Sequence, residues 1–161
     1  MHELRSPRTS DRAALYGFLA RLSPNTVQAR YMSAWMSVAG PAADQETQRL
    51  LDRDESRHVV LVAPDGPEIR GVGEFVVDEA SDAAELALVV EDAFQRRGIG
   101  QRLFRGLEQL ARERGICAFT GDVRYGNQRV ERLLQRTGWP LRVQPGFGAV
   151  RFRLRLDACG N

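Results

Sequence analysis

The stretch from Leu86 to Ala111 changes its hydrophobic period once, and that change constrains the whole chain. Leu86-Ala87-Leu88-Val89-Val90 is a short unbroken apolar run, the pattern of a strand buried on both faces. Ile99, Leu103, Phe104, Leu107, Leu110 and Ala111 then recur at spacings of three and four, the pattern of an amphipathic helix. A polar loop joins them, and Gly98 and Gly100 fall in the first turn of the helix. A helix start has unpaired N–H groups and the positive end of the helix dipole. Glycines let a ligand approach that backbone closely, so the segment is a candidate phosphate or pyrophosphate site, with Arg96 and Arg97 adding positive charge. The glycines alone are equally compatible with a tight strand-to-helix turn that holds nothing.

Other nucleotide motifs fit less well. A P-loop needs a lysine before its Ser or Thr, and all 23 basic residues of this chain are arginine. A dinucleotide fingerprint needs Gly-x-Gly-x-x-Gly directly after an early parallel strand. Here the spacing is Gln95-x-x-Gly98-x-Gly100, after strands that read as antiparallel.

The rest of the chain is organised around this segment. His2 to Arg5 reads as an edge strand. Ser10 or Asp11 is a plausible N-cap for a helix carrying Leu15, Phe18, Leu19 and Leu22. Ser23-Pro24 opens a second helix with Val27, Tyr31, Met32 and Trp35, which Gly40-Pro41 breaks. A third, polar helix runs near Asp44 to Arg53. His58 to Ala63, Ile69 to Asp78 and Ala84 to Val90 read as an antiparallel meander. After the central helix come a strand from Ile116 to Val123, a helix from Asn127 to Thr137 and closing strands around Val143 and Val150 to Leu156. The expected fold class is α/β, or α+β: a mixed, mostly antiparallel sheet with helices on both faces.

With 161 residues the chain is sized for one core, so a single domain over 1–161 is expected. Its 43% apolar and 27% charged content is that of a globular domain. No run approaches the ~18 apolar residues of a membrane span, and the N-terminus does not resemble a signal peptide. A cytoplasmic location and no membrane partner are therefore expected. Cys117 and Cys159 cannot form a disulfide framework and read as a core filler and a tail residue. With His2 and His58 far apart, no metal site is expected. The net charge of +2 is weak for a nucleic-acid binder.

Gln95-x-x-Gly98-x-Gly100 after Leu88-x-Val90 resembles the central motif of the GCN5-related N-acetyltransferase (GNAT) family. Asn127-x-x-Val130-x-x-Leu133-Leu134-x-x-x-Gly138-Trp139 resembles that family's second pattern, and the order of elements matches along almost the whole chain. Leu22 to Ser33 is similar, more loosely, to the opening helices of bacterial protein-lysine acetyltransferase domains.

The resemblance implies the acyl-CoA N-acyltransferase fold, with acetyl-CoA as cosubstrate and no metal. It implies that Leu88 and Val90 offer backbone hydrogen bonds to the pantetheine arm. Main-chain amides of Gln95, Arg96, Arg97, Gly98, Ile99, Gly100 and Gln101 would hold the pyrophosphate. Asn127 would bond the pantetheine from the other side, and is equally a candidate helix N-cap. The acceptor amine must be neutral to attack, so a base is needed. Glu85 is the first candidate for that base, with partial burial expected to raise its pKa, and Glu74 is the reserve. The family's tyrosine acid is replaced by Leu134; Tyr125 is a nearby substitute, and water could suffice. The backbone N–H of Val90 is expected to face the developing oxyanion.

The expected activity is transfer of an acetyl group to a primary amine, with a protein lysine favoured over a small amine and a monomer or homodimer as the working unit. The alternative from another class is a non-catalytic acyl-CoA-binding regulatory domain. Arg151, Arg153 and Arg155 on the last strand, and Arg129, Arg132 and Arg136 on the last helix, are read as solvated faces, the former discouraging edge pairing. Tyr31, Trp35 and Met36 are either acceptor-pocket or core residues.

Overall fold

The computed structural model describes residues 3–31 and 40–156. Three helices come first: α1 (Arg12–Ala20), α2 (Pro24–Tyr31) and α3 (Pro41–Leu51). The meander follows as β1 (His58–Asp65), β2 (Glu68–Val77) and β3 (Ala83–Val90). Then come α4 (Ile99–Glu113), β4 (Ala118–Arg124), α5 (Gln128–Arg136), β5 (Leu141–Pro145) and β6 (Ala149–Arg155). The six strands form one sheet in the order β1-β2-β3-β4-β6-β5, antiparallel at every pairing except β3 with β4.

The expected first strand is reduced to a single antiparallel bridge, Arg5 to Val62 on β1. The last strand in sequence, β6, is not at an edge but between β4 and β5. Cys117 is disulfide-bonded, which corrects its reading as an inert core filler. Met32, Trp35 and Met36 lie outside the described residues. Among the described residues, no helix is long and apolar enough to cross a membrane.

Strand alternation gives each face of the sheet its own core. One face packs α4 and α5 through Leu103, Phe104, Leu107 and Leu134 onto Leu61, Phe75, Leu86, Phe119 and Leu154. Phe119 meets Phe75 and Phe104 with ring centroids 5.7 and 6.0 Å apart. The other face packs α1 to α3 through Leu15, Phe18, Leu19, Val27 and Leu50 onto Val60, Val62, Val72 and Val89.

Gly73 explains how closely α4 seats on β2. A Cβ there would lie 2.8 Å from Leu88 Cδ2 and 2.9 Å from Leu107 Cδ1. The helix that begins at the glycine loop is thus placed by a strand position with no side chain. Gly73→Val should lower stability by about 1–3 kcal/mol through overpacking; a urea midpoint equal to wild type would show that α4 is not seated this tightly.

A buried ionic network ties α2 and α3 to the second face. Glu74 on β2 is 4% exposed. It accepts from Arg49 Nη2 and Nη1 at 2.7 and 2.9 Å, accepts from Arg30, and lies 2.5 Å from His58 Nε2. Arg49 also donates to Glu46, which accepts from the Tyr31 hydroxyl at 2.9 Å. Burial alone would raise the Glu74 pKa, but the His58 and Arg49 hydrogen bonds and the Arg30 and Arg49 charges hold it well below the carboxylate range. A depressed carboxylate lends stability that is complete above its unfolded value, about 4.3, and is lost as pH falls through the folded value. Glu74→Gln should cost about 3–5 kcal/mol at pH 7, because it leaves arginines uncompensated. It should also flatten the fall in melting temperature between pH 5 and pH 3; an equally steep fall in the variant would place the acid sensitivity elsewhere.

Candidate active site

The sheet opens where its one parallel pairing stops. β3 and β4 pair only through Ala83–Ala118, Ala84–Phe119 and Glu85–Thr120. Beyond that row, β3 continues on β2 up to Val90, and β4 continues on β6 up to Arg124. The Glu91 N–H donates to Arg70 O at 2.9 Å, which sets the antiparallel alternation. Residues 85, 87 and 89 turn their polar main-chain groups toward β2, and Leu86, Leu88 and Val90 turn theirs toward the gap. Leu88 and Val90 have no register partner on β4.

The loop that ends the gap has the shape of an anion site. Gln95 is extended; Arg96 has φ of 61° and Gly98 of 81°, both left-handed. Arg96 is the non-glycine residue with positive φ among the described residues. Such turns present successive N–H groups to one point. The helical ladder of α4 starts with Arg102 N–H donating to Gly98 O at 3.0 Å, so the N–H groups of residues 98–101 precede it. Gln95 Nε2 donates to Val90 O at 3.0 Å and to Thr26 Oγ1 at 3.2 Å, and its Oε1 accepts from Arg129.

A carboxylate braces this loop against α2. Asp92 accepts from Ser23 N and Ser23 Oγ at 3.0 and 2.6 Å and from Thr26 Oγ1 at 2.7 Å. Burial would raise the Asp92 pKa; the Ser23 and Thr26 donors outweigh it and lower the pKa. Next to it, buried Glu91 accepts from Arg21 Nε at 3.1 Å and from Arg70 Nη1 at 2.9 Å.

A cavity of about 560 Å³ occupies the gap and the loop mouth. Leu88, Val90, Gln95, Arg96 and Gly98 line it, as do Ile99, Gly100, Gln101 and Asn127. Of the residues expected at the loop, Arg97 does not line it; its guanidinium lies over the Phe94 ring at 4.8 Å, with Arg70 over the same ring at 4.2 Å. Asn127 caps α5, its Oδ1 accepting from Val130 N at 3.4 Å, and still faces the cavity. The cap leaves its amide NH₂ for a ligand.

A second cavity of about 250 Å³ adjoins the first, sharing Ala29, Arg30, Leu88, Asn127, Val130 and Leu133. Glu85 lines it beside Asp122. The sequence reading has Glu85 partly buried; the structure leaves it exposed. The reserve candidate, Glu74, is committed to Arg30, Arg49 and His58 and has no capacity for an acceptor's proton. Leu134 is buried in the core, and the Tyr125 hydroxyl donates to Gly146 O at 3.0 Å. Among the described residues, no group of His, Cys, Asp and Glu is arranged to hold a metal ion.

Several residues that line the larger cavity have no such role in the sequence reading, which gives Thr26 and Arg30 no part and has Arg129, Arg132 and Arg136 as a solvated face. Thr26 and Arg30 reach it from α2, and Arg129, Arg132 and Arg136 from α5. The α5 arginines recur at three and four, so their shared face was visible, but not that it turns to the cavity.

Solved structures of similar fold are N-acetyltransferases. The GNAT domain of Streptomyces lividans PAT superposes with a TM-score of 0.81 at 24% identity, covering 95% of this chain and 89% of that one. The PaiA N-acetyltransferase of Thermoplasma acidophilum, in complex with coenzyme A, gives 0.71 at 17%, covering 96% and 99%. The ribosomal-protein-alanine N-acetyltransferase of Brucella melitensis gives 0.70 at 21%, covering 96% and 98%. At these identities the likeness is one of fold. Residues 25–139 match the acetyltransferase (GNAT) family. That match takes in the opened strands, the glycine loop and the capped α5, and the chain belongs to the GNAT family of N-acetyltransferases.

Proposed function

We propose that this protein transfers the acetyl group of acetyl-CoA to a primary amine carried on a protein, a lysine side chain before all others. The observation that carries the reading is the gap itself. Main-chain groups of Leu88 and Val90 face it, the amides of residues 98–101 close one end, and Glu85 stands at the other. These residues fit coenzyme A part by part. Pantetheine amides match strand groups that lack a strand, and a pyrophosphate matches a helix N-terminus with Arg96 beside it. The volume is within the usual range for ligand pockets.

Acetyl-CoA supplies the acetyl group as a thioester, whose thiol is a good leaving group with a pKa near about 8.5. The chain supplies position and proton transfer. Glu85 takes the proton of the incoming ammonium, directly or through one water. The Val90 N–H, turned into the gap, is the donor for the acetyl oxygen as charge develops on it. With Leu134 in the core and Tyr125 bonded to Gly146, water protonates the departing thiolate. A protein acceptor suits the second cavity, which opens on an exposed carboxylate rather than enclosing a small molecule. The names of the Streptomyces and Brucella relatives point the same way.

Thiol release from acetyl-CoA, measured against lysine peptides, peptides with free N-termini and small amines, tests the reading. Lysine peptides should turn over fastest; turnover confined to small amines would overturn the protein acceptor. In Glu85→Gln, kcat should fall about 100-fold or more while the Kd for coenzyme A stays within about twofold. Unchanged kcat would remove Glu85 from the base role.

Gly100 gives an independent check on the cofactor side. The nearest atom to a Cβ there is Val90 Cγ2, at 3.9 Å, so a side chain fits the protein but projects toward the gap. Gly100→Val should raise the KM for acetyl-CoA about 10-fold or more with no loss of melting temperature. An unchanged KM would move the pyrophosphate elsewhere.

A further inference from the structure

The arginines of β6 need an explanation that edge protection does not give. Arg151, Arg153 and Arg155 alternate with buried Phe152, Leu154 and Leu156 and are all exposed. Charges on a strand face discourage edge pairing where the strand is an edge, but β6 lies between β4 and β5. Arg142 on β5 is directly opposite Arg153. Like charges directly opposite destabilise a sheet. Arg153 donates to Asp82 at 2.6 Å and Arg151 to Asp122 at 3.0 Å. Among the described residues, no carboxylate pairs with Arg142 or Arg155.

This face is open and continuous with the catalytic strand. α1 to α3 cover the same face over β1 to β3, and among the described residues no helix packs over it at β6 and β5. A groove of about 340 Å³ there is lined by Asp78, Thr120, Arg142, Gln144, Arg151 and Arg153. Register places Glu85, Thr120, Arg153 and Arg142 in one row across four adjacent strands, all on the same face.

From this row we infer that the arginine face of β4, β6 and β5 docks an acidic segment of the acceptor polypeptide, next to the amine that Glu85 deprotonates. The inference rests on the acetyltransferase reading for its placement of the acceptor amine at Glu85. At ~4.8 Å per strand, Arg153 lies about 10 Å and Arg142 about 14 Å from Glu85, Cα to Cα. An extended chain advances about 3.3–3.6 Å per residue. Alternate residues of an extended chain share a face, so carboxylates two and four residues from the acceptor, with the reach of the arginine side chains, meet the two guanidiniums, whose planar forks suit them. A nucleic-acid backbone fits less well. Asp78, Asp82 and Asp122 are interspersed on the face and would repel a phosphate chain, and the net charge is only +2.

The test uses three peptides with one acceptor lysine and Glu, Gln or Arg at the second and fourth positions from it. Transfer is read as kcat/KM, and docking separately as fluorescence anisotropy with coenzyme A present. The Glu peptide should exceed the Gln peptide by about 5- to 10-fold at low salt, the scale of two exposed ion pairs. The margin should shrink between about 50 and about 300 mM salt. Arg142→Glu with Arg153→Glu should reverse the order in favour of the Arg peptide, a gain that misfolding cannot produce, with kcat/KM on a small uncharged-flank amine unchanged. Equal kcat/KM for the three peptides, or an order unaltered by the double variant, overturns the inference. So does a single-stranded RNA that binds this face at about 100 mM salt and is released by the double variant. If wild type acetylates no acceptor, the activity reading fails, while anisotropy still decides whether the acidic segment docks.

Discussion

Everything at this site depends on a parallel pairing that stops after three residue pairs. β3 keeps its hydrogen bonds to β2, β4 takes up β6, and the groups between them are left facing each other across a gap. The strands are close immediately before they part. A Cβ on Gly121 would lie 2.7 Å from the Phe152 ring and 3.1 Å from Leu86 O. Half-buried Leu88 and Val90 line the cavity with main-chain groups that have no partner on β4, so the opened sheet offers them to a ligand. Gln95 already takes one of them by donating to Val90 O. The remainder is directed at whatever enters.

Polar ties hold α2 to the loop that borders the gap. Among its described residues, Pro24–Tyr31, α2 buries Thr26 and Val27. Burying one valine is worth about 1.5–3 kcal/mol, too little to set a helix's register. Its two ends are instead bolted separately. Ser23 and Thr26 bind Asp92 at the loop, and Arg30 and Tyr31 bind the Glu74 and Glu46 carboxylates. Thr26 also accepts from Gln95, so the helix that borders the second cavity shares hydrogen bonds with the loop that borders the first. Displacing either one strains the other.

Features of one continuous segment were legible in the sequence, and features made by distant segments were not. The run Leu86 to Val90, the glycines at 98 and 100 and the cap at Asn127 are local patterns, and each lies where its pattern put it. The opening of the sheet depends on β4 choosing β6, some thirty residues on. Nothing in either strand announces it. The alternating arginines of β6 suggest a protected edge, whereas β5 reaches past β6 to take that place. Arg96 and Arg97 look alike in sequence, but the left-handed φ at Arg96 sends consecutive side chains apart, one to the cavity and one to Phe94. Glu74 looked like a spare base because its three partners come from β1, α2 and α3.

Two carboxylates on one face of the sheet, on adjacent strands, show how environment divides chemistry between identical functional groups. Glu74 is opposite Ala87, and Glu85 is opposite Val76. Glu74 is buried among two guanidiniums and an imidazole, which satisfy its oxygens and favour the charged form, so it organises helices and keeps its charge at neutral pH. Glu85 has its own main chain turned to β2 and lies in the last row that β3 shares with β4, while its side chain has no hydrogen-bond or ion-pair partner among the described residues. Its position comes from the sheet and its oxygens remain available. A carboxylate positioned by backbone rather than by side-chain partners can accept a hydrogen bond or a proton without first breaking a bond of its own.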